Sequence, residues 1–526
     1  MHKSSSATAE SVYVLPHEIS AEAVAESLQA LLRSRHHPIA RHRFTALDTF
    51  DGRVRRARAL LTRGSLNGAS AVAWHPRGGR DQLAVGLKEP VSFAWDLPEG
   101  PLQRGVASVI GPRRLLDQAD AEEQGAVLEM LDDRGKAIAR LRIASGRARL
   151  PLPDSAWRPL PTFITLTPLI GYEDACRRLV PIVESRPGIE RCPEGTLDVM
   201  LRRIGAPVRG DLSSPAVDLD PRVRADEGAR QIHLALVAML TANEPGLRAD
   251  LDTEFLHDFR VGVRRTRSLL RQIRGVFPHD AVQHFSTEFS WIGRLTSAAR
   301  DLDVLLLALR ARQGGLPHHD LDAILSFLGR AQRQEHEGLV RALDSGRYER
   351  LISDWKGFLE RPSASNPEPP NASGALSAVV AERAWRLSRR IARSAETIDD
   401  RAPAERLHEI RIDAKKLRYL VDVSHVFFDA ADLECVLTAL KKVQRVLGDF
   451  NDASVQERRL VECGHALGAA GGPPGALLAL GRLAEERRRR REDLHGKVIE
   501  KLNEFRARET RAACRRAFKR AQAKGA

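Results

Sequence analysis

The chain is poor in cysteine, in aromatic residues and in long apolar runs. Its five cysteines (Cys176, Cys192, Cys435, Cys463 and Cys514) are scattered over 526 residues, odd in number and without a CxxC pair. This argues against a disulfide framework and a cysteine-based zinc site, and implies reduced thiols and a cytoplasmic protein. Aromatic residues make up 5% of the chain, too few for the stacking platforms that hold single-stranded nucleic acid. No run of about 20 apolar residues is available to span a bilayer. The opening MHKSSSATAESVYVLP lacks the apolar stretch of a signal peptide. Acid is in deficit too: 69 Asp and Glu face 83 Lys and Arg, a net charge of +14. That balance favours an anionic partner: nucleic acid, a membrane surface or a phosphate polymer. The length suits about two to four domains, and 43% hydrophobic residues suffice for packed cores.

The positive charge is concentrated in one stretch, Leu256 to Phe277, LHDFRVGVRRTRSLLRQIRGVF. His257, Arg260, Arg264, Arg267, Arg271 and Arg274 are spaced 3, 4, 3, 4 and 3. On a helix those steps hold all six on one face. Leu256, Phe259, Val263, Leu270 and Ile273 fall mainly on another side and can anchor the helix, while Arg265 lies beside the basic stripe. No acid interrupts the stripe. Like charges at i,i+3 and i,i+4 repel by roughly 0.2–0.5 kcal/mol per pair, so a row of this kind implies a polyvalent anion to meet it. Arginine suits that task because its planar fork can grip phosphate oxygens with two parallel hydrogen bonds. The plainer reading is a solvated charged face, but such faces normally intersperse both signs.

The stretch recurs 151 residues later as LHEIRIDAKKLRYLVDVSHVFF, Leu407 to Phe428. In one register, His257 pairs with His408, Arg260 with Arg411, Arg264 with Lys415, Arg265 with Lys416 and Arg267 with Arg418. Further on, Arg294 pairs with Arg445, Asp301 with Asp452 and Val304 with Val455. This is an internal duplication. The second copy carries lysines where the first has arginines, so it should bind an anion less rigidly.

Taken in order, residues 1–10 read as a flexible tail. Residues 11–204 mix a strand (SVYVLP), a helix over Ala21–Arg33, and strands in HRFTALDTF, RARALLTRG, DQLAVGLKEP, GAVLEMLDD, GKAIARLRI and PTFITLTPLI. Asp51-Gly52 reads as a hairpin turn between the first two of those strands. A helix over Tyr172–Glu184 follows. The expected fold is α+β with an antiparallel sheet.

This order of elements, with FTALDTFDGRVRRARALLTRG followed by LAVGLK, resembles the CYTH superfamily of triphosphate-tunnel enzymes. The resemblance implies an antiparallel β-tunnel in which basic residues grip a triphosphate and acids hold divalent metals. Arg56, Arg58, Arg63 and Lys88 are then the candidate tunnel cations. The family's ExExK signature on the first strand is missing, because SVYVLP has neither acid nor lysine, and the late strand ITLTPLI has no acid. Metal-assisted phosphate chemistry needs such carboxylates, so the resemblance is to a domain without catalysis. Asp48, Asp51, Glu129, Asp132 and Asp133 are the acids at hand, and their turn-rich settings suggest surface roles.

A linker (205–222) leads into a helical region, 223–522. Its first half (about 223–360) and second half (about 375–522) flank a Pro/Ser/Asn-rich segment, 361–374, read as a linker with no means of packing. Helices are expected at Gln231–Asn243, Leu256–Phe277, Phe285–Ala311, Asp320–Ser345, Tyr348–Glu360, Leu376–Asp399, Ala404–Phe428, Leu433 to about Ala466, and Ala476–Lys524. LHDFRVGVRRTR, WIGRLTSAARDLDVLL and their second copies LHEIRIDAKKLRYL and VQRVLGDFNDASV resemble the CHAD domain strongly. The resemblance implies two pseudo-symmetric four-helix bundles whose basic faces meet at a groove that binds inorganic polyphosphate. CYTH and CHAD modules are often fused in this order.

The candidate polyphosphate contacts are His257, Arg260, Arg264, Arg265, Arg267, Arg271, Arg274 and Arg294 in the first copy, and His408, Arg411, Lys415, Lys416, Arg418 and Arg445 in the second. Each histidine, read as starting its helix, either donates to phosphate as imidazolium or is a hydrogen-bonded structural residue. Asp301, Asp303, Asp449 and Asp452 read as carboxylates that hold the arginines of the basic helices rather than as metal ligands. The run Arg487–Arg491 reads mostly as a solvated helix, with Arg482, Arg515 and Arg516 as further rim candidates. The expected function is non-catalytic polyphosphate binding, at polyphosphate granules in the cytoplasm, with no cofactor, no metal and no membrane. The alternatives are a phosphohydrolase that uses the tunnel domain and, less well supported, a nucleic-acid-binding protein.

Overall fold

The computed structural model describes residues 11–16, 19–66, 68–75, 83–169, 171–206, 217–312, 317–361, 368–399 and 401–519. The tail 1–10 and parts of both expected linkers, 207–216 and 362–367, lie outside the described residues. So do residues 520–522 at the end of the expected helical domain. The chain forms two compact units, residues 1–212 and 213–526.

The first unit is built on one antiparallel sheet. Its described strands are β1 (Ser11–Leu15), β2 (Ser34–Asp48), β3 (Leu60–Leu66), β4 (Ala69–His75), β5 (Leu83–Gly86), β6 (Leu116–Leu131), β7 (Ala137–Arg149), β8 (Arg158–Pro159), β9 (Thr162–Pro168) and β10 (Glu190–Arg191). The order is β10-β1-β9-β7-β6-β2-β3-β4-β5, with β8 against β7. The helices are α1 (Ala21–Gln29), α2 (Arg53–Arg56), α3 (Pro101–Ile110), α4 (Glu173–Glu184) and α5 (Thr196–Ile204). Strand β1 alternates buried and half-buried residues, the period-2 pattern of a strand with one face in a core. Tyr13 and Leu15 on that face join Leu28 of α1, Ile143 of β7, Ile164 of β9 and Val183 of α4 in one apolar cluster. A second cluster seats Val106 and Ile110 of α3 on Leu61, Val72 and Trp74.

Asp51-Gly52 is not a hairpin turn. It starts the helical turn α2, and the second strand begins only at Leu60. Nor are the two acids there on the surface. Asp48 and Asp51 are buried. Asp48 accepts from the backbone N–H groups of Thr49, Val54 and Arg55, which satisfies the open donors of a short helix. Burial raises its pKa to about 6 against the pull of those bonds.

The second unit is helical: α6 (Ala225–Arg248), α7 (Thr253–Gln272), α8 (His279–Arg310), α9 (His318–Leu343), α10 (Gly346–Glu360), α11 (Leu376–Glu396), α12 (Ala404–Asp422), α13 (Ala430–Ala469), α14 (Pro474–Arg506) and α15 (Arg508–Cys514). Helix α6 runs through Pro245 to Arg248, beyond the expected end at Asn243. Gly246 is required there, because a Cβ would stand 2.3 Å from the Phe255 ring. Asp252 caps α7 by accepting from the N–H groups of Glu254 and Phe255. The expected last helix breaks at Ala507.

The two halves interlock. Leu305, Leu309, Ile324 and Leu328 from α8 and α9 share one core with Leu460, Leu467, Leu480 and Leu483 from α13 and α14. The described end of the expected linker packs as well. Asn371 donates from its backbone to the Gly275 carbonyl (2.7 Å) and from Nδ2 to the Arg274 carbonyl (2.8 Å), and Ala372 is buried. Residues 368–374 therefore stop the end of the basic helix rather than merely join two bundles. Among the described residues no helix is long and apolar enough to cross a membrane.

Candidate anion-binding site

Helix α7 packs against its duplicate, α12. Tyr419 of α12 lies beneath the guanidinium groups of Arg264 (5.8 Å) and Arg265 (5.7 Å). Arg265 also reaches Asp422 Oδ2 at 3.6 Å. The candidate cations divide into two sets by what they touch.

In the first set each charge is matched by a carboxylate. Asp422 serves both Arg265 and Arg418, the latter at 2.6 Å. Lys416 pairs with Asp413 at 3.0 Å. Arg265 is buried and its pKa is lowered by that burial. These three side chains hold α12 and its contact with α7 together.

In the second set, among the described residues, no carboxylate lies within ion-pair distance. Arg260 donates to neutral acceptors on α8: Thr296 Oγ1 at 2.7 Å, the Gly293 carbonyl at 3.2 Å and Ser297 Oγ at 3.3 Å. Burial and then Arg264 push its pKa down to about 10. Arg267 lies against Gly293, and burial, Arg271 and Arg294 lower its pKa. The Nε atoms of Arg264 and Arg267 are buried with no hydrogen-bond partner. Arg271, Arg274, Arg294 and Arg445 are exposed, and Arg274 Nε donates to the Arg271 carbonyl at 3.3 Å.

The stripes of the two copies meet at Lys415. Burial, Arg264 from the first copy and Arg411 from the second bring its pKa down to about 7. Arg411 has a distant acid partner, Asp452 at 3.9 Å. A half-buried lysine between two arginines is a site of high positive potential, and an anion is the group that relieves it.

Neither histidine starts its helix. His257 is the fifth residue of α7 and half-buried, and His408 is the fifth of α12 and exposed. His408 Nδ1 lies 3.1 Å from Asn451 Oδ1. Among the described residues two of the four aspartates stand in ion pairs with arginines, Asp452 with Arg411 of α12 and Asp301 outside the basic helices. Asp301 pairs with Arg459 of α13 at 2.9 Å. Asp303 is buried and bonded by Gln332 at 3.3 Å. In the arginine run, Arg488, Arg489 and Arg491 are taken by Glu485, Glu492 and Glu457. Arg482 and Arg516 pair with Glu486 and Asp432. Sequence reasoning missed Arg383 of α11, whose Nε donates to Gln272 Oε1 at the end of α7 (2.7 Å). It lies outside both copies of the motif and carries no local signal.

In the first unit the candidate cations do not converge. Arg56 reaches Asp51 and Arg63 pairs with Asp117 at 2.7 Å, so both are tied to acids. Lys88 is exposed. Arg58 lines a cavity within the sheet. Among the described residues no group of three or more His, Cys, Asp or Glu side chains is placed to hold a metal ion.

Residues 231–461 match the CHAD domain family. This stretch is a CHAD domain. Both basic helices lie within it. Uncharacterized proteins from two strains of Mycobacterium tuberculosis are each 29% identical over 299 residues, covering 53% of this chain and 52% of theirs. The chain thus spans about half the length of the curated relatives it matches. Among solved structures, the CHAD domain from the plant Ricinus communis is 25% identical, with a TM-score of 0.47 over 55% of this chain and 96% of that one. PptA from Streptomyces chartreusis is 16% identical, with a TM-score of 0.40 over 53% of this chain and all of that one.

Proposed function

We propose that the helical unit binds inorganic polyphosphate along the seam of α7 and α12. The observation that carries this reading is the set of uncompensated cations there: Arg260, Arg264, Arg267, Arg271 and Lys415. Arginines elsewhere in the unit, such as Arg224, Arg248, Arg347 and Arg459, stand in ion pairs. CHAD domains are in general associated with polyphosphate binding, which favours this polymer over other polyanions. Each Arg fork meets phosphate oxygens by charge-assisted hydrogen bonds, and the protonated Lys415 adds a point charge. Binding releases counterions and weakens with salt, by analogy with nucleic-acid polyelectrolytes. The seam would form a groove between two pseudo-symmetric bundles, with the domain extending over about 223–522.

In this reading the protein is cytoplasmic, associates with polyphosphate granules, uses no cofactor and has no catalytic role. Nucleic acid is not its main ligand. The N-terminal unit is CYTH-like without metal-dependent hydrolysis. The test is a competition assay with long-chain polyphosphate, RNA and tripolyphosphate, with and without Mg²⁺. Tight binding of the long polymer without phosphate release supports the reading. Preference for RNA, or turnover of tripolyphosphate, overturns it.

A further inference from the structure

The sheet of the N-terminal unit curls around a cavity. Residues from both ends of the strand order, Val12 of β1 and Arg191 of β10 at one end and Ala73 of β4 and Ala84 of β5 at the other, line a single space of about 570 Å³. In the β6–β7 pair Glu123 faces Gly146. A Cβ at Gly146 would stand 2.0 Å from the Glu122 carbonyl oxygen, so only glycine permits this approach. A cavity of roughly 300–1,000 Å³ is the size that takes a small molecule.

Both carboxylates in the wall are already engaged. Glu123 is bonded by Arg142 and by His42 Nε2 at 3.2 Å. His42 Nδ1 also lies 3.2 Å from the Ala40 carbonyl. Both its ring nitrogens therefore face acceptors, and the bond to Glu123 raises its pKa. Glu194 pairs with Arg202 at 2.5 Å. Two further arginines, Arg58 and Arg191, line the cavity with no carboxylate within ion-pair distance among the described residues. Arg58, at φ 53°, is the left-handed residue that closes α2, where the Ala59 N–H donates to the Val54 carbonyl. The rest of the wall includes Ile39, Phe44, Leu60 and Val127, which offer apolar surface and no charge.

We propose that this cavity is a second binding site, distinct in chemistry from the helical seam, for a small organic monoanion: a carboxylate or sulfonate head met by the cavity's arginines, with an apolar body against its aliphatic and aromatic wall. Binding needs no metal, because neither wall carboxylate is left to hold one.

The test uses the full chain in EDTA, with anilinonaphthalene sulfonate as fluorescent probe and octanoate as competitor. The dye should bind with enhanced fluorescence and octanoate should displace it. The double variant Arg58→Ala/Arg191→Ala, which removes two exposed side chains, should weaken the octanoate-displaceable binding about tenfold or more. Ala73→Trp, which fills the cavity, should abolish it. Melting curves show whether each variant is folded, and if Ala73→Trp does not fold, the arginine pair decides. Dye binding that the arginine variant leaves unchanged overturns the proposal. So does displacement of the octanoate-sensitive dye by tripolyphosphate at lower concentration than octanoate.

Discussion

Replacing Arg264 and Arg267 together by alanine should remove most of the polyphosphate affinity and leave the fold nearly unchanged. Neither side chain has a carboxylate partner among the described residues. Arg264 gives up its place over Tyr419, a contact of roughly 0.5–1 kcal/mol. Against that, repulsion with Arg260, Arg411 and Lys415 is relieved by a few tenths of a kcal/mol per pair. The net change in stability should lie within about 1 kcal/mol. On the binding side, two charge-assisted contacts at roughly 1.5–3 kcal/mol each amount to about two to four orders of magnitude in affinity, less where the losses do not add. The slope of log affinity against log salt should fall by roughly 1.5. The matched control is Arg265→Ala, one position along the same helix. It breaks the buried link to Asp422 and should cost about 1–3 kcal/mol of stability with a smaller loss of affinity. The assay is polyphosphate titration at about 50 and 200 mM salt, with a melting curve for each variant. If the double variant binds like the parent, or if Arg265→Ala loses affinity while keeping its stability, the division into compensated and uncompensated cations is wrong.

Four further outcomes follow from individual residues. Lys415 has a pKa of about 7 in the free protein, and a bound polyanion favours its charged form, so binding takes up a proton above that pH. Affinity should fall by up to about tenfold per pH unit between pH 7 and 9, and Lys415→Arg should flatten that dependence in pH-resolved titrations. His233 is fully buried with both ring nitrogens unpartnered, and burial lowers its pKa to about 3. The unfolded chain binds this proton more readily, so the associated stability is present above about pH 6.5 and is lost as pH falls toward 3; His233→Leu should reduce the loss of melting temperature between about pH 6 and 4. Asp303 is the opposite case, with burial raising its pKa to about 7. Its stabilising share is present below about pH 4 and lost as pH rises to 7, so Asp303→Asn should raise the melting temperature at about pH 8 and leave it nearly unchanged at about pH 4. Finally, the full chain should release no phosphate from tripolyphosphate on addition of Mg²⁺ or Mn²⁺, as read by a phosphate assay; metal-stimulated release would restore the hydrolase alternative.

The helical unit was the more legible half because a helix writes its faces into the sequence at fixed spacing. The 3-4 step of Arg260, Arg264, Arg267 and Arg271 is enough to put them on one side of α7. The interval from Leu256 to Leu407 marks α12 as the duplicate of α7. What no spacing contains is which cation has found an acid. Arg265 and Lys416 occupy equivalent positions beside the stripe, yet one pairs across helices with Asp422 and the other within its own helix with Asp413. The hydroxyls that hold Arg260, Thr296 and Ser297, come from a neighbouring helix and carry no mark of that role. The first unit was harder to read. Its turn at Asp51-Gly52 has the residues of a hairpin, but Asp48 accepts three backbone N–H groups and draws the chain into a helical turn instead. Gly146 permits a close approach of β7 to β6, and a glycine in a strand signals such an approach without saying what the sheet encloses.

The two copies have diverged in a way that explains why the first should carry more of the binding. At the same 151-residue offset, Arg271 of α7 corresponds to Asp422 of α12, and Gly262 to Asp413. Each acid neutralises a cation of its own helix: Asp422 takes Arg418, and Asp413 takes Lys416. At Gly262 α7 and α6 meet, and a Cβ would stand 2.7 Å from a Leu240 methyl, so an acid there would have to displace that buried side chain. Thr296 and Ser297 correspond to Leu447 and Gly448, so the second copy has no hydroxyls in those places for Arg411. Arg411 instead reaches the carboxylate of Asp452, whereas Arg260 is held by neutral oxygens. A neutral acceptor positions a guanidinium without cancelling its charge, while a carboxylate does both. In the first copy Arg260 is therefore oriented while it keeps its positive charge. The second spends part of its charge on structure, and through Asp422 part of that structure is the link to Arg265 that joins the two helices.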